Sequence, residues 1–119
     1  MLKKYLITLF LIFQVSAYSN AAGTSDSGSS KVKSNYDKAV SIIKSAKKYE
    51  KKGKKEKANK RYEKAQKLLI ISNKKKPLQA DTLNYLGFTT RKLGDYEAGE
   101  KYYLLGLEID LIIKVLMKT

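Results

Sequence analysis

The sequence predicts an all-α domain of two antiparallel helical hairpins, and three observations predict it. Small and apolar residues recur three or four positions apart everywhere after Asn35, with no run of strict alternation. Two stop signals of one kind, Gly53 behind Lys51 and Lys52 and Gly94 behind Arg91 and Lys92, each bisect such a periodic stretch. Laid over one another with a shift of 41 residues, the two stretches match small with small and aromatic with aromatic.

Taken in order, the first element is not part of the domain. Met1 to Lys4 is short and basic, 5–15 is an apolar run of eleven residues broken only by Thr8 and Gln14, and Ser19, Asn20 and Ala21 are small. Residues 1–21 are therefore expected to be a signal peptide, cleaved after Ala21 or nearby, and the chain to be exported to the periplasm or cell envelope of a bacterium. An uncleaved membrane anchor is the alternative, but the run is short for a bilayer span. Residues 22–34, Gly/Ser-rich and polar, are expected to be a flexible linker.

The folded part is expected over 35–113. Tyr36, Ala39, Val40, Ile43 and Ala46 give the first helix its apolar face, Ser34 or Asn35 its cap, and Gly53 its end. Ala58, Tyr62, Ala65 and Leu69 do the same for the second, so the first hairpin covers about 36–75. Pro77 suits the opening turn of the third helix, which carries Leu83, Leu86, Thr90 and Leu93. Asp95 caps the fourth, with Glu97 in its first turn and Tyr96, Gly99, Tyr103 and Leu107 at helical spacing, giving a second hairpin over about 77–110.

The 41-residue shift sets Ala46 against Gly87, Gly53 against Gly94, Ala58 against Gly99, Tyr62 against Tyr103 and Ala65 against Gly106. Leu86, Gly87, Gly94, Gly99, Tyr103 and Gly106, with a weaker copy at Ala46, Tyr49, Gly53, Ala58, Tyr62 and Ala65, resemble the tetratricopeptide repeat family over roughly 39–113. The unit of that family is about 34 residues, so about seven extra residues, two helical turns, fall in the basic stretch before Pro77. Glycine at 99 and 106 in place of the usual alanine, and Leu111 in place of the usual closing proline, depart from the pattern. The resemblance implies a two-unit α-solenoid.

Gly87, Gly99 and Gly106 each cost a helix about 1 kcal/mol relative to alanine. Their coincidence with small residues of the first copy predicts positions where helices cross so closely that a side chain would intrude.

Residues 111–119 have no capping logic: 111–117 hold six apolar residues in seven. Two readings are open. A genuine apolar end of the fourth helix would dock on a partner or a second copy. Alternatively the tail is frameshifted, since deleting one base from codons for Pro-Asn-His-Lys-Gly-Ala-Asn, a plausible entry into a next repeat, yields Leu-Ile-Ile-Lys-Val-Leu-Met. Two units with an apolar end are expected to be marginally stable or to self-associate.

Function follows from what is missing and from charge. There is no cysteine and no histidine, which removes disulfides, thiol chemistry, the usual zinc ligands and the commonest general base. The eleven acids are scattered and no phosphate-cradling loop is present, so neither an enzyme nor a cofactor or metal is expected. From Lys31 to Lys76 there are 18 Lys and Arg against 4 acids, and from Leu78 to Thr119 there are 5 against 6. A signal peptide argues against nucleic acid and favours an acidic protein or an anionic envelope surface.

The resemblance implies that the first helix of each hairpin lines a concave, peptide-binding face: Val40, Ile43, Lys47, Glu50 and Lys51 from one, Asp81, Asn84, Phe88, Arg91 and Lys92 from the other. Lys47, Asn84, Arg91 and Lys92 would grip a carboxylate and Phe88 an apolar group. The alternative is an anion-binding surface for lipid or envelope polymer, built from Lys54, Lys55, Lys57, Lys60, Arg61 and Lys64 within the Lys-rich region 51–76.

Overall fold

A computed structural model describes residues 31–119, and every element in it is a helix: α1 (Asn35–Lys51), α2 (Lys55–Lys75), α3 (Ala80–Lys92) and α4 (Tyr96–Lys118). The expected signal peptide and nearly all of the expected linker lie outside the described residues. Among the described residues no helix is long and apolar enough to cross a membrane.

Local chemistry fixes the starts and stops. Ser34 caps α1: its hydroxyl accepts from the Asp37 amide at 3.1 Å while Asp37 Oδ2 accepts from the Ser34 amide at 3.3 Å, a reciprocal capping box. Asp95 caps α4 by accepting from the Ala98 amide at 3.1 Å. Lys54, which stands where Asp95 does in the other hairpin, makes no side-chain cap on α2.

Both hairpins turn in the same way. After α1 the Gly53 amide donates to Glu50 O and the Lys54 amide to Tyr49 O, at 3.0 and 2.9 Å. After α3 the Gly94 amide donates to Arg91 O and the Asp95 amide to Thr90 O, at 3.0 and 3.1 Å. These are two Schellman closures 41 residues apart, each needing a left-handed residue, and the glycines supply it with φ of 73° and 97°.

The link between hairpins differs from expectation. Pro77 does not open α3, which begins three residues later at Ala80 behind Gln79. Leu78 takes φ 61°, an uncommon left-handed conformation for a side chain of its size, and that reversal prevents a helix from starting at Pro77. The extra turns expected before Pro77 are absorbed by α2, which runs 21 residues and leaves Ile70 and Ile71 half exposed at its far end. The fourth helix also outruns its expected end near 110, continuing to Lys118. No glycine or proline interrupts 107–119, so nothing stops it.

In the core, α1 packs along α2, α3 along α4, and α3 joins the two hairpins, mainly through α2. Ala39, Ile43 and Ala46 of α1 meet Ala58, Tyr62, Ala65 and Leu69 of α2, with Leu86 of α3 completing the cluster. Ala46, Ala58, Ala65, Gly87, Gly99 and Gly106 are all buried. The crossing of α3 and α4 is tight: a Cβ on Gly87 would lie 2.9 Å from Tyr103 Cγ and 3.0 Å from Gly99 O. One on Gly99 would lie 3.0 Å from Gly87 O. Glycine here admits backbone contact, and the Tyr103 ring fills the space beside it.

Candidate functional site

Where α1 ends and α3 ends, the hairpins leave a cleft of about 670 Å³ between them. Its polar centre is Glu50, the last partly buried residue of α1. Tyr62 from α2 donates its hydroxyl to Glu50 Oε2 at 2.8 Å, and Lys92 from α3 donates to Oε1 at 2.7 Å. One carboxylate thus ties three helices together. Lys92, and after it Tyr62, hold the Glu50 carboxyl below its ordinary pKa; burial, then the hydrogen bond to Glu50 and the Glu50 charge, raise that of the Tyr62 phenol.

Phe88 of α3 forms the apolar wall. Its ring meets Tyr62 edge to face, with centroids 5.8 Å apart. The ammonium groups of Lys47 and Lys92 lie 4.8 and 5.6 Å from its centroid. Arg91 lines the cleft as well, with its guanidinium 5.7 Å from the ring centroid of Tyr96, and Lys55 stands on the α2 side. Lys92 and Glu50 neutralise one another. Lys47, Lys55 and Arg91 therefore set the sign of the site, which favours an anion beside an aromatic wall.

The peptide-binding residues expected from the sequence divide. Phe88, Arg91 and Lys92 line the cleft, and Lys47, outside its lining, lies against the Phe88 ring. Ile43 does not: it is 1% exposed in the core between α1 and α2, so its place in the groove is corrected to a packing role. Val40 is half buried and Lys51 exposed, and neither lines the cleft. Asn84 lies one turn back along α3, where α4 forms the wall instead of α1 and α2, in a shallow recess of about 420 Å³ with Asp81, Tyr103 and Asp110. That recess is acidic where the cleft is basic.

The expected anion-binding residues lie along α2, with Lys54 at its N-cap position. Lys54, Lys57, Lys60 and Lys64 are exposed at helical spacing, and Lys60 pairs with Glu56 at 3.5 Å. Arg61 is partly buried, its guanidinium 5.0 Å from the Tyr49 ring centroid with Lys57 Nζ at 5.8 Å, and Arg61 above all holds the Tyr49 phenol below its ordinary pKa. Lys55 belongs to the cleft.

Sequence reasoning missed Tyr62, Lys55 and Tyr96 as walls of the cleft. Tyr62 carried a usable signal, because a tyrosine at a core position needs a partner for its hydroxyl and Glu50 lies at the end of the preceding helix. Among the described residues no group of three or more acidic side chains is arranged to hold a metal ion. In comparisons with known proteins, no family model, no curated protein and no solved structure matches this chain.

Proposed function

We propose that the protein is an exported, non-catalytic scaffold of tetratricopeptide type that binds an acidic peptide or protein segment in the cell envelope. The segment enters the cleft between the hairpins. The observation that carries this reading is Phe88, an aromatic wall with the cations Lys47 and Arg91 nearby, beside a Lys92–Glu50 pair whose charges cancel. A carboxylate-bearing segment with an adjacent apolar side chain matches both halves of that surface. The identical Schellman turns 41 residues apart and the small residues at each helix crossing support the repeat assignment.

The test is fluorescence anisotropy with a labelled acidic peptide that carries one aromatic residue and a free carboxylate. Binding is expected to fall about tenfold in Phe88→Ala and in Arg91→Gln, the second an exposed position whose change leaves the core untouched. Asn84→Ala, outside the cleft, should change little. Equal affinity for all three variants would refute the cleft as the site.

A second reading rests on the Lys54, Lys57, Lys60 and Lys64 stripe, which would hold anionic lipid or envelope polymer. It predicts binding to anionic vesicles that is lost as salt rises and is indifferent to Phe88→Ala.

A further inference from the structure

The outward face of α4 has the wrong chemistry for solvent. Winding at about 100° per residue sets Leu104, Leu107, Leu111 and Val115 on one stripe, with Leu105, Ile112 and Leu116 on the next. Gly99 and Gly106 hold the opposite side of the same helix against α3. Leu104 and Leu107 are 58% and 57% exposed within the hairpin itself, and Val115 and Leu116 are 64% and 67% exposed beyond it. The stripe is therefore continuous from the docked part of α4 into its free end, and is not a property of the tail alone.

We infer that this face is an isologous interface, on which α4 of a second copy of the chain lies antiparallel. Two observations select that occupant. The first is area: the seven side chains expose on the order of 650 Å² per copy, near the roughly 800 Å² per partner of a stable interface. The second is charge. Glu97 and Glu100 stand near the start of α4, and Lys114 and Lys118 near its end; Glu97 pairs with Lys101 at 3.3 Å and Lys114 with Asp110 at 3.0 Å, which leaves the start with one net negative charge and the end with one net positive. Antiparallel pairing places the acidic start of one copy beside the basic end of the other, whereas parallel pairing would set Lys114 and Lys118 against their own counterparts. It also opposes the two helix dipoles favourably. With three lysines against four acids, α4 is a segment of this basic chain that carries little net charge toward its own copy; Glu108, exposed between the two stripes, is the charge that meets its own counterpart near the two-fold axis. The interface shares no residue with the cleft and stands independently of the binding proposed there.

Sedimentation equilibrium of the full chain from low micromolar to about 200 μM tests the inference. A reversible dimer is expected, and Leu104→Glu with Leu111→Glu should make it monomeric with unchanged far-ultraviolet circular dichroism, since both positions are exposed in the single copy. Should that pair unfold the chain, Val115→Glu, on the free end, serves in its place. Glu97→Lys with Glu100→Lys should raise the dimer dissociation constant about tenfold, and adding Lys114→Glu with Lys118→Glu should restore it. A monomer across the whole range overturns the proposal, as does a dimer indifferent to these changes. A monomer that instead binds neutral phosphatidylcholine vesicles through the same leucines also overturns it and assigns the face to a bilayer.

Discussion

Replacing Gly87 by alanine sets two physical effects against each other at one atom. Within a helix the added methyl gains about 1 kcal/mol of intrinsic propensity. In this structure it arrives 2.9 Å from both Cδ1 and Cγ of Tyr103 and 3.0 Å from the backbone oxygen of Gly99. Neither obstacle yields readily: Cγ is the root of the ring rather than its free end, and Gly99 O moves only with α4. Overpacking of this kind costs about 1–3 kcal/mol, and contacts below 3.0 Å belong at the upper end. The expected balance is a loss of about 1–2 kcal/mol, and for a domain of this size that lowers Tm by about 5–15 °C. Urea and thermal denaturation followed by circular dichroism at 222 nm measure it. Repeating Gly87→Ala in a Tyr103→Ala background removes the ring that the methyl meets, and a coupling of more than about 1 kcal/mol is expected. Gly106→Ala is the internal comparison: its methyl would meet Ala80 O and Leu83 Cβ at 3.3 Å, so gain and cost should nearly cancel. If Gly87→Ala raises Tm, as it would on an open helix surface, or if its loss is independent of Tyr103, the close-crossing argument fails.

The remaining predictions concern Glu50 and a helix cap, beside the binding and self-association tests above. Because Glu50 is held below its unfolded pKa in the folded chain, its contribution is present above the unfolded value and is lost as pH falls through the folded one. Glu50→Gln should therefore flatten the acid limb of a plot of unfolding free energy against pH below about 4.5. Tyr62 has the opposite sign: its phenol is raised, so its contribution is complete below an unfolded pKa of about 10 and is lost as pH rises beyond it. Tyr62→Phe should remove that alkaline limb while keeping the ring contact with Phe88. Asp95→Ala removes the acceptor for the Ala98 amide and should cost about 1 kcal/mol, measured by the same urea titration. The corresponding change at Lys54, which makes no cap, should cost nothing from this source.

Much of the secondary structure was legible because it rests on local chemistry. A glycine behind two basic residues favours a helix end, and Gly53 and Gly94 make such ends with matching hydrogen bonds. Ser34 and Asp95 cap because their side chains reach amides three residues on. The link at 76–79 depends on more than that chemistry: the path from α2 to α3 is set by where the two hairpins meet, and Leu78 takes a left-handed conformation to satisfy it. The site divided along the same line. Phe88, Arg91 and Lys92 share one stretch of α3, so their convergence could be anticipated from helical spacing.

Spacing along one helix cannot say which neighbour stands opposite, and that is where the sequence stopped. By itself it determined an all-α domain after Asn35, two hairpins, their turns, the concentration of positive charge before Pro77 and the apolar character of the fourth helix. Only the tertiary structure decided that Ile43 turns inward, that Asn84 faces an acidic recess, and that Glu50 is shared between Tyr62 and Lys92. The physical reason is range: caps and glycine turns act within a few residues, whereas these three outcomes depend on which helix is placed beside which, a choice made by packing across the whole domain.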